Sequence, residues 1–110
     1  MPLPVNAGPL LAQDWGAIGR LREAAFSATQ SGDFETAEAK WSALIDQLPN
    51  EAAIWSNRGK VRVRQNDLDG AMDDYTKAIE LAPAEADPYL IRGAVWEAMG
   101  QWDKAIADYN

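Results

Sequence analysis

Residues 52–85 read AAIWSNRGKVRVRQNDLDGAMDDYTKAIELAPAE, and the architecture of the whole chain can be worked out from them. Small or apolar residues recur every fourth position in two runs: Trp55, Gly59 and Val63, then Ala71, Tyr75 and Ile79. This spacing places each run on one face of an α-helix, and neither run alternates as a strand would. Between the runs, Asn66 tolerates a left-handed backbone and Asp67 suits a helix N-cap. The stretch therefore predicts two helices joined by a short turn and closed by Pro83.

The same pattern returns with a period of 34 residues in both directions. The matching sets are Ala37, Ala71 and Ala105; Trp41, Tyr75 and Tyr109; Phe34, Leu68 and Trp102; Leu21, Trp55 and Tyr89; Ala25, Gly59 and Gly93; Gly32, Asn66 and Gly100; and Pro49 with Pro83. We predict helices near 15–30, 34–47, 52–65, 68–81, 87–99 and 102–110, with Asp33, Asp67 and Asp87 as N-caps. They form three repeats at about 18–51, 52–85 and 86–110, the last incomplete, after an extended proline-containing segment at 1–14.

The repeated residue types explain how such helix pairs pack. The small residues let two helices approach closely, and the aromatic residues at 41, 75 and 109 fill the space beside them. One pair cannot bury its apolar face alone, so neighbouring pairs stack and share a core. We expect seven phased aromatic residues in that core: Phe34, Trp41, Trp55, Tyr75, Tyr89, Trp96 and Trp102. We expect Asp73, Asp74 and Asp108 on a solvated face.

The motifs Trp55-x-x-Arg58-Gly59-x-x-Arg62, Ala71-x-x-x-Tyr75 and Pro83 resemble the tetratricopeptide repeat. The third copy is similar, whereas the first departs where Ala28 replaces the usual aromatic residue, and Arg58 and Arg62 depart from the expected leucine and tyrosine. The resemblance covers roughly residues 18–110. It implies an all-α fold, a right-handed superhelical α-solenoid whose concave groove is lined by the first helix of each pair. It also implies a protein-interaction scaffold or adaptor.

The composition argues against catalysis and against several classes of ligand. Without histidine or cysteine the chain lacks the commonest general base, a thiolate nucleophile and the commonest metal ligands. Residues 65–76 resemble a calcium loop only superficially, because Thr76 stands where a bidentate glutamate is needed. We predict no enzyme activity, no cofactor and no metal. A net charge of −7 disfavours nucleic acid, and the uncharged stretch 1–13 is too short to span a membrane, so we expect a soluble protein.

A local excess of positive charge marks the candidate binding site. Residues 51–64 carry a charge of +3, from one glutamate and four basic residues. By the repeat phase, Lys60 and Arg64 face the groove, where they either pair with acidic residues of neighbouring repeats or bind an acidic partner segment. For Arg58 and Arg62 we expect pairing. The full set of predicted groove residues is Arg22, Phe26, Ser56, Asn57, Lys60 and Arg64.

One known use of this fold is a clamp that grips the C-terminal carboxylate of a chaperone with lysine/arginine pairs and asparagines. Arg22 and Asn57 match that clamp by position. Phe26 stands where an asparagine is expected, Asp87 where a lysine is, and Ile91 where an arginine is. Because Asp87 reverses the charge, we predict that the chain does not bind chaperone tails.

Two classes of function remain open: a binding module or assembly factor that captures a segment in the groove, and a structural subunit that packs by its outer faces. The phrases at 55–59, 78–83, 87–93 and 105–109 are similar to repeat proteins of cyanobacteria and plastids. This resemblance implies assembly of, or attachment to, a photosynthetic membrane complex, in the cytoplasm or at the thylakoid. Trp96, Trp102, Ile106 and Tyr109 should lack full cover. We therefore expect a fragment of a longer protein, or a C-terminal face covered by a partner or a second copy.

Overall fold

The computed structural model describes residues 14–110, which fold into six helices with no strand among them. The helices are α1 (Trp15–Ser31), α2 (Phe34–Gln47), α3 (Ala52–Arg64), α4 (Leu68–Leu81), α5 (Asp87–Ala98) and α6 (Trp102–Tyr109). Each helix packs against the next one in the chain, so that three helix pairs form a stack. The predicted all-α helical-repeat solenoid is confirmed. The extended segment predicted at 1–14 lies outside the described residues except for Asp14, which caps α1. The repeat limits stay a prediction.

The turns inside the helix pairs have the backbone that their residues predict. The carboxylates of Asp33 and Asp67 cap α2 and α4 by accepting hydrogen bonds from the backbone N–H three residues on, at 3.3 and 3.0 Å. Gly32, Asn66 and Gly100 close the first helices with φ angles of 81°, 63° and 76°. These left-handed angles are the reason that glycine or asparagine is needed there.

The start of α5 differs from the prediction. Asp87 was expected as the N-cap, but it is the first residue of the helix, and Ala86 is the N-cap without a side-chain hydrogen bond. The prediction was wrong by one residue because Ala86 already has helical backbone angles, with φ −76° and ψ −36°. The Asp87 carboxylate thus lies in the first turn, where the helix dipole favours a negative charge.

Two clusters of buried side chains form the core. The first lies between α1, α2 and α3 and includes Trp41, and the second lies between α4 and α5 and includes Tyr75. The helices of a pair approach closely because their contact positions are small. A Cβ atom on Gly59 would lie 3.0 Å from Cζ of Tyr75, and one on Gly93 would lie 2.6 Å from Cε1 of Tyr109.

The predicted aromatic core is confirmed for most of its members. Trp41 and Tyr75 are fully buried. The half-buried members are Phe34, Trp55, Tyr89 and Trp96. The prediction was wrong for Trp102, which is 62% exposed. This position depends on the following helix for its cover, and no described helix lies beyond α6.

The outer face of α6 carries further exposed apolar residues. Ile106 and Tyr109 are exposed beside Trp102, and Leu90 of α5 is also exposed. The incomplete cover predicted for this end of the stack is confirmed for these three residues of α6. Contiguous apolar surface of this kind is more often an interaction surface than a neutral one.

Two carboxylates expected on the solvated face are instead buried in ion pairs, whereas Asp73 is exposed as predicted. The Asp74 side chain is 1% exposed. It accepts hydrogen bonds from Nε and Nη2 of Arg58 at 3.0 and 2.7 Å, and from Nη1 of Arg62 at 3.2 Å to each oxygen. Asp108 is likewise 8% exposed. The prediction of solvent exposure for Asp74 and Asp108 was wrong because the arginines that bind them lie 12 or 16 residues earlier, on the other helix of the pair. Arg58 and Arg62 do pair with carboxylates as expected, but in the described part of the chain an acidic partner in a neighbouring repeat is found only for Arg62, which contacts Glu38 at 3.5 Å.

The arginine–carboxylate contact recurs with the repeat and also joins successive repeats. Arg92 donates two hydrogen bonds of 2.7 Å to Asp108, 34 residues after the first contact. The hydrogen bond to Asp108 raises the pKa of Arg92, although burial acts in the opposite direction. Arg58 also donates to Oγ of Ser42 at 3.2 Å, and Arg92 to Oγ1 of Thr76 at 3.3 Å. Each such Arg–Asp–hydroxyl cluster therefore links one helix pair to the pair before it.

Candidate functional site

An open depression of about 350 Å³ lies between α3 and α5, the first helices of the second and third pairs. Its lining residues are Ala52, Ala53, Ser56, Asn57, Lys60, Ala82, Glu85, Asp87, Pro88 and Ile91. The α3 residues share one face because they are spaced three or four positions apart along the helix. Pro88 and Ile91 form an apolar part of the opposite wall.

Three predicted groove residues meet in this depression: Ser56, Asn57 and Lys60. Lys60 is exposed, whereas Ser56 and Asn57 are partly buried. None of the three side chains forms a hydrogen bond or an ion pair with another residue in the part of the chain that the structure describes. A hydroxyl, an amide and an ammonium group are therefore available to a ligand.

The other three predicted groove residues lie outside the depression. Arg22 pairs with Glu51 through an Nη2–Oε2 distance of 3.0 Å. Phe26 is 45% exposed, and its ring meets Trp41 edge-on at a centroid distance of 4.8 Å.

Arg64 has a separate contact, with its guanidinium carbon 5.0 Å from the centroid of the Phe34 ring. Lys60 and Arg64, which were both predicted to face the groove, therefore have different surroundings. Lys60 lines the depression, and Arg64 lies against the second helix of the preceding pair. A role for Arg22, Phe26 and Arg64 in partner binding stays a prediction.

Sequence reasoning assigned no binding role to the acidic side of the depression. Glu85 and Asp87 line it together with Pro88 and Ile91, and neither carboxylate forms an ion pair within residues 14–110. A signal was present, since Asp87 and Ile91 both depart from the residues of the chaperone-tail clamp. The site is consequently not a basic pocket. It carries one cation on α3, one carboxylate in the loop before α5 and one at the first residue of α5.

The described residues offer binding groups and no centre for metal chemistry. Residues 14–110 contain no cluster of three or more carboxylate, histidine or cysteine side chains that could hold a metal ion. Among the same residues, no helix combines the length and the apolar character needed to cross a membrane.

Comparison with known proteins agrees with this architecture. A sequence profile of the tetratricopeptide repeat matches residues 18–89. The chain belongs to the tetratricopeptide repeat family. Human tetratricopeptide repeat protein 36 is 31% identical over 87 residues, which cover 76% of this chain and 46% of that protein. This chain thus spans less than half the length of that relative.

Solved tetratricopeptide repeat structures have the same fold. The first repeat domain of Spaghetti (RPAP3), bound to the HSP90 peptide SRMEEVD, gives a TM-score of 0.81 at 23% identity and covers 87% of this chain and 76% of that one. The Yersinia enterocolitica type III secretion chaperone SycD, in complex with a peptide of the translocator YopD, gives 0.81 at 19% identity, over 84% of this chain and 71% of that one. At these identities the likeness shows a shared fold. The tetratricopeptide repeat is a protein-interaction module.

Proposed function

We propose that this chain is a protein-interaction scaffold that holds a segment of a partner protein in the depression between α3 and α5. The observation that carries the proposal is that Asn57 and Lys60 line an open depression with no partner among the described residues. Polar side chains that converge on a partly apolar concave surface are the usual composition of a ligand site. Two solved relatives in fold hold peptides, which supports the same use here.

The expected ligand is an internal segment rather than a chaperone tail. The HSP90 peptide bound by RPAP3 is acidic, with two glutamates and a C-terminal aspartate. Asp87 would repel such a tail at the place where the clamp has a lysine, and Ile91 offers no charge. An acidic group of the partner can still approach Lys60. This attraction should weaken with added salt, because exposed charges are screened beyond about 10 Å at 0.1 M.

The test is selection of short peptides from a random display library on the immobilised chain, followed by calorimetric titration. An enriched peptide should lose affinity on Asn57→Ala and on Lys60→Glu, by about tenfold for the charge reversal. Lys104→Glu on α6 is the matched control, because Lys104 is exposed and does not line the depression. Reversal at Arg58 and Arg62 is unsuitable as a control, since both hold Asp74. Enriched peptides that bind the Asn57 and Lys60 variants as tightly as the parent would refute the site.

A structural role by the outer faces is the second candidate, favoured by the exposed Trp102, Ile106 and Tyr109 of α6. Under it, no peptide binds the depression, and a partner is captured only when α6 is intact. Participation in a photosynthetic membrane complex, in a plastid or a cyanobacterium, extends either candidate and rests on the sequence phrases at 55–59 and 87–93. Co-purification from native membranes tests it: recovery of photosynthetic subunits supports the role, and their absence refutes it.

A further inference from the structure

The depression between α3 and α5 has opposite charges on its two sides, and these charges do not neutralise each other. Lys60 stands on the α3 side, Glu85 stands in the loop before α5, and Asp87 is the first residue of α5. No contact within 4.0 Å joins the ammonium group to either carboxylate in the described structure. Arg22, Arg58, Arg62, Lys77 and Arg92 have acidic partners, whereas Lys60 has none among the described residues. The depression is therefore a place where a cation and two anions are held apart.

We propose that the depression selects a partner segment with two charge blocks, an acidic block toward Lys60 and a basic block toward Glu85 and Asp87. This inference rests on the proposed function, and it names the chemistry of the captured segment. A uniformly acidic segment would satisfy Lys60 but would bring like charges against the two carboxylates. A uniformly basic segment would have the reverse problem. Only a segment with both signs in order gains on both sides, and like-charge contacts exclude the others.

The apolar residues of the lining determine what can separate the two charged blocks of the segment. Ala53 on one side and Pro88 with Ile91 on the other are apolar and small or compact, so the middle of the segment should carry a small aliphatic side chain. The partly buried Asn57 can bind the main chain of an extended segment, because its amide both donates and accepts hydrogen bonds. The captured motif is consequently a short aliphatic core flanked by acidic residues at one end and basic residues at the other.

Blocked synthetic peptides test the charge order directly. The probes are acetylated, amidated Asp-Asp-Ala-Leu-Ala-Lys-Lys and its reverse Lys-Lys-Ala-Leu-Ala-Asp-Asp, with all-acidic and all-basic versions of the same length. We expect one of the two-block peptides to bind about tenfold more tightly than the uniform ones, because only this peptide places opposite charges against both sides of the depression. Amidation removes the C-terminal carboxylate, so that tail recognition cannot produce the result.

Variants separate this inference from the proposed function. The triple change Lys60→Glu with Glu85→Lys and Asp87→Lys inverts the charges across the depression, and it should transfer the preference to the other two-block peptide. The double change Asp73→Lys with Lys104→Glu, at exposed positions away from the depression, should leave the preference unchanged. Thermal melting checks that the exposed positions 60, 85 and 87 tolerate the changes.

The outcomes are distinguishable. If the all-acidic peptide binds as tightly as either two-block peptide, or if the inverted variant keeps the parent's preference, the charge-order inference is overturned while capture of a segment stands. If neither these peptides nor any display-selected peptide binds in a manner sensitive to Asn57 and Lys60, the proposed function is overturned as well.

Discussion

Asp74→Asn should be among the most damaging single substitutions in the chain, although it keeps the size of the side chain. The Asp74 carboxylate is 1% exposed and accepts four hydrogen bonds from Arg58 and Arg62. An amide is neutral and has one oxygen, so the substitution leaves Arg58 without a counter-charge and beside Arg62, which keeps Glu38 as its partner. Breaking a buried ion pair by removing one partner costs about 3–5 kcal/mol.

The surroundings of the two arginines favour the lower end of that range. Arg58 and Arg62 are 15% and 19% exposed, so water reaches both of them. Arg62 keeps a contact with Glu38 at 3.5 Å, and Arg58 keeps Ser42 at 3.2 Å. We therefore expect a loss of about 3 kcal/mol in the free energy of unfolding. For a chain of this size that loss lowers Tm on the order of 15 °C.

Urea unfolding followed by far-UV circular dichroism measures the effect. The comparison is Asp108→Asn, where one arginine rather than two loses its partner, and we expect about half the loss. The neighbouring exposed Asp73 is the control, and Asp73→Asn should change the free energy by less than about 0.5 kcal/mol. A loss below about 1 kcal/mol for Asp74→Asn, or a larger loss for Asp108→Asn, would refute the assigned role of this network.

Three further predictions concern the helix-pair interface and the turns. Burial, and secondly the charge of Asp74, raise the pKa of Tyr75. Above pH about 10 only the unfolded state therefore loses this proton, and the free energy of unfolding falls by up to about 1.4 kcal/mol per pH unit. The buried Tyr75 hydroxyl has no hydrogen-bond partner among the described residues, so Tyr75→Phe should cost less than about 1 kcal/mol of unfolding free energy at neutral pH. The same substitution should reduce the loss of stability at alkaline pH. If the unfolding free energy from urea titrations falls with pH as steeply as in the parent, this prediction is wrong. Gly59→Leu and Ala71→Leu should each cost about 1–3 kcal/mol through overpacking, and a parent-like melt would mean that the repeat phase is misassigned. Asp67→Ala should cost about 1 kcal/mol by removing the cap of α4, and an unaltered denaturation midpoint speaks against that cap.

The helices could be predicted because the turn residues inside each helix pair and the periodicity of the apolar residues indicate the same helix limits. Left-handed backbone at Asn66 and side-chain capping by Asp67 are decided within a few residues, so they needed no tertiary information. The repeat phase placed Ser56, Lys60 and Arg64 toward the groove; Ser56 and Lys60 line the depression, and Arg64 does not. The predicted N-cap of α5 was wrong by one residue. Ala86 is the N-cap because its backbone angles are already helical, and no side chain caps this helix.

What failed depended on contacts between helices. Asp74 was mistaken for a solvated residue because its partners are on α3, although the recurrence of arginine at 58 and 92 with aspartate at 74 and 108 was visible in the sequence. Trp102 has the phase of a core residue, but its cover must come from a neighbouring element that periodicity cannot supply. The acidic side of the depression was not predicted because Asp87 was compared only with an acidic chaperone tail, which it repels. A basic segment, which Asp87 attracts, was not considered.

The hydroxyl contacts of the Arg–Asp–hydroxyl clusters have a mechanical consequence for the depression. Its walls belong to different repeats, so its width depends on how the second and third helix pairs pack on each other. The exposed hydrogen bond from Arg92 to Thr76, 3.3 Å long, joins those two pairs directly. Thr76 does not line the depression. A substitution at Thr76 is therefore expected to change the spacing of the two walls without removing any group that lines the depression.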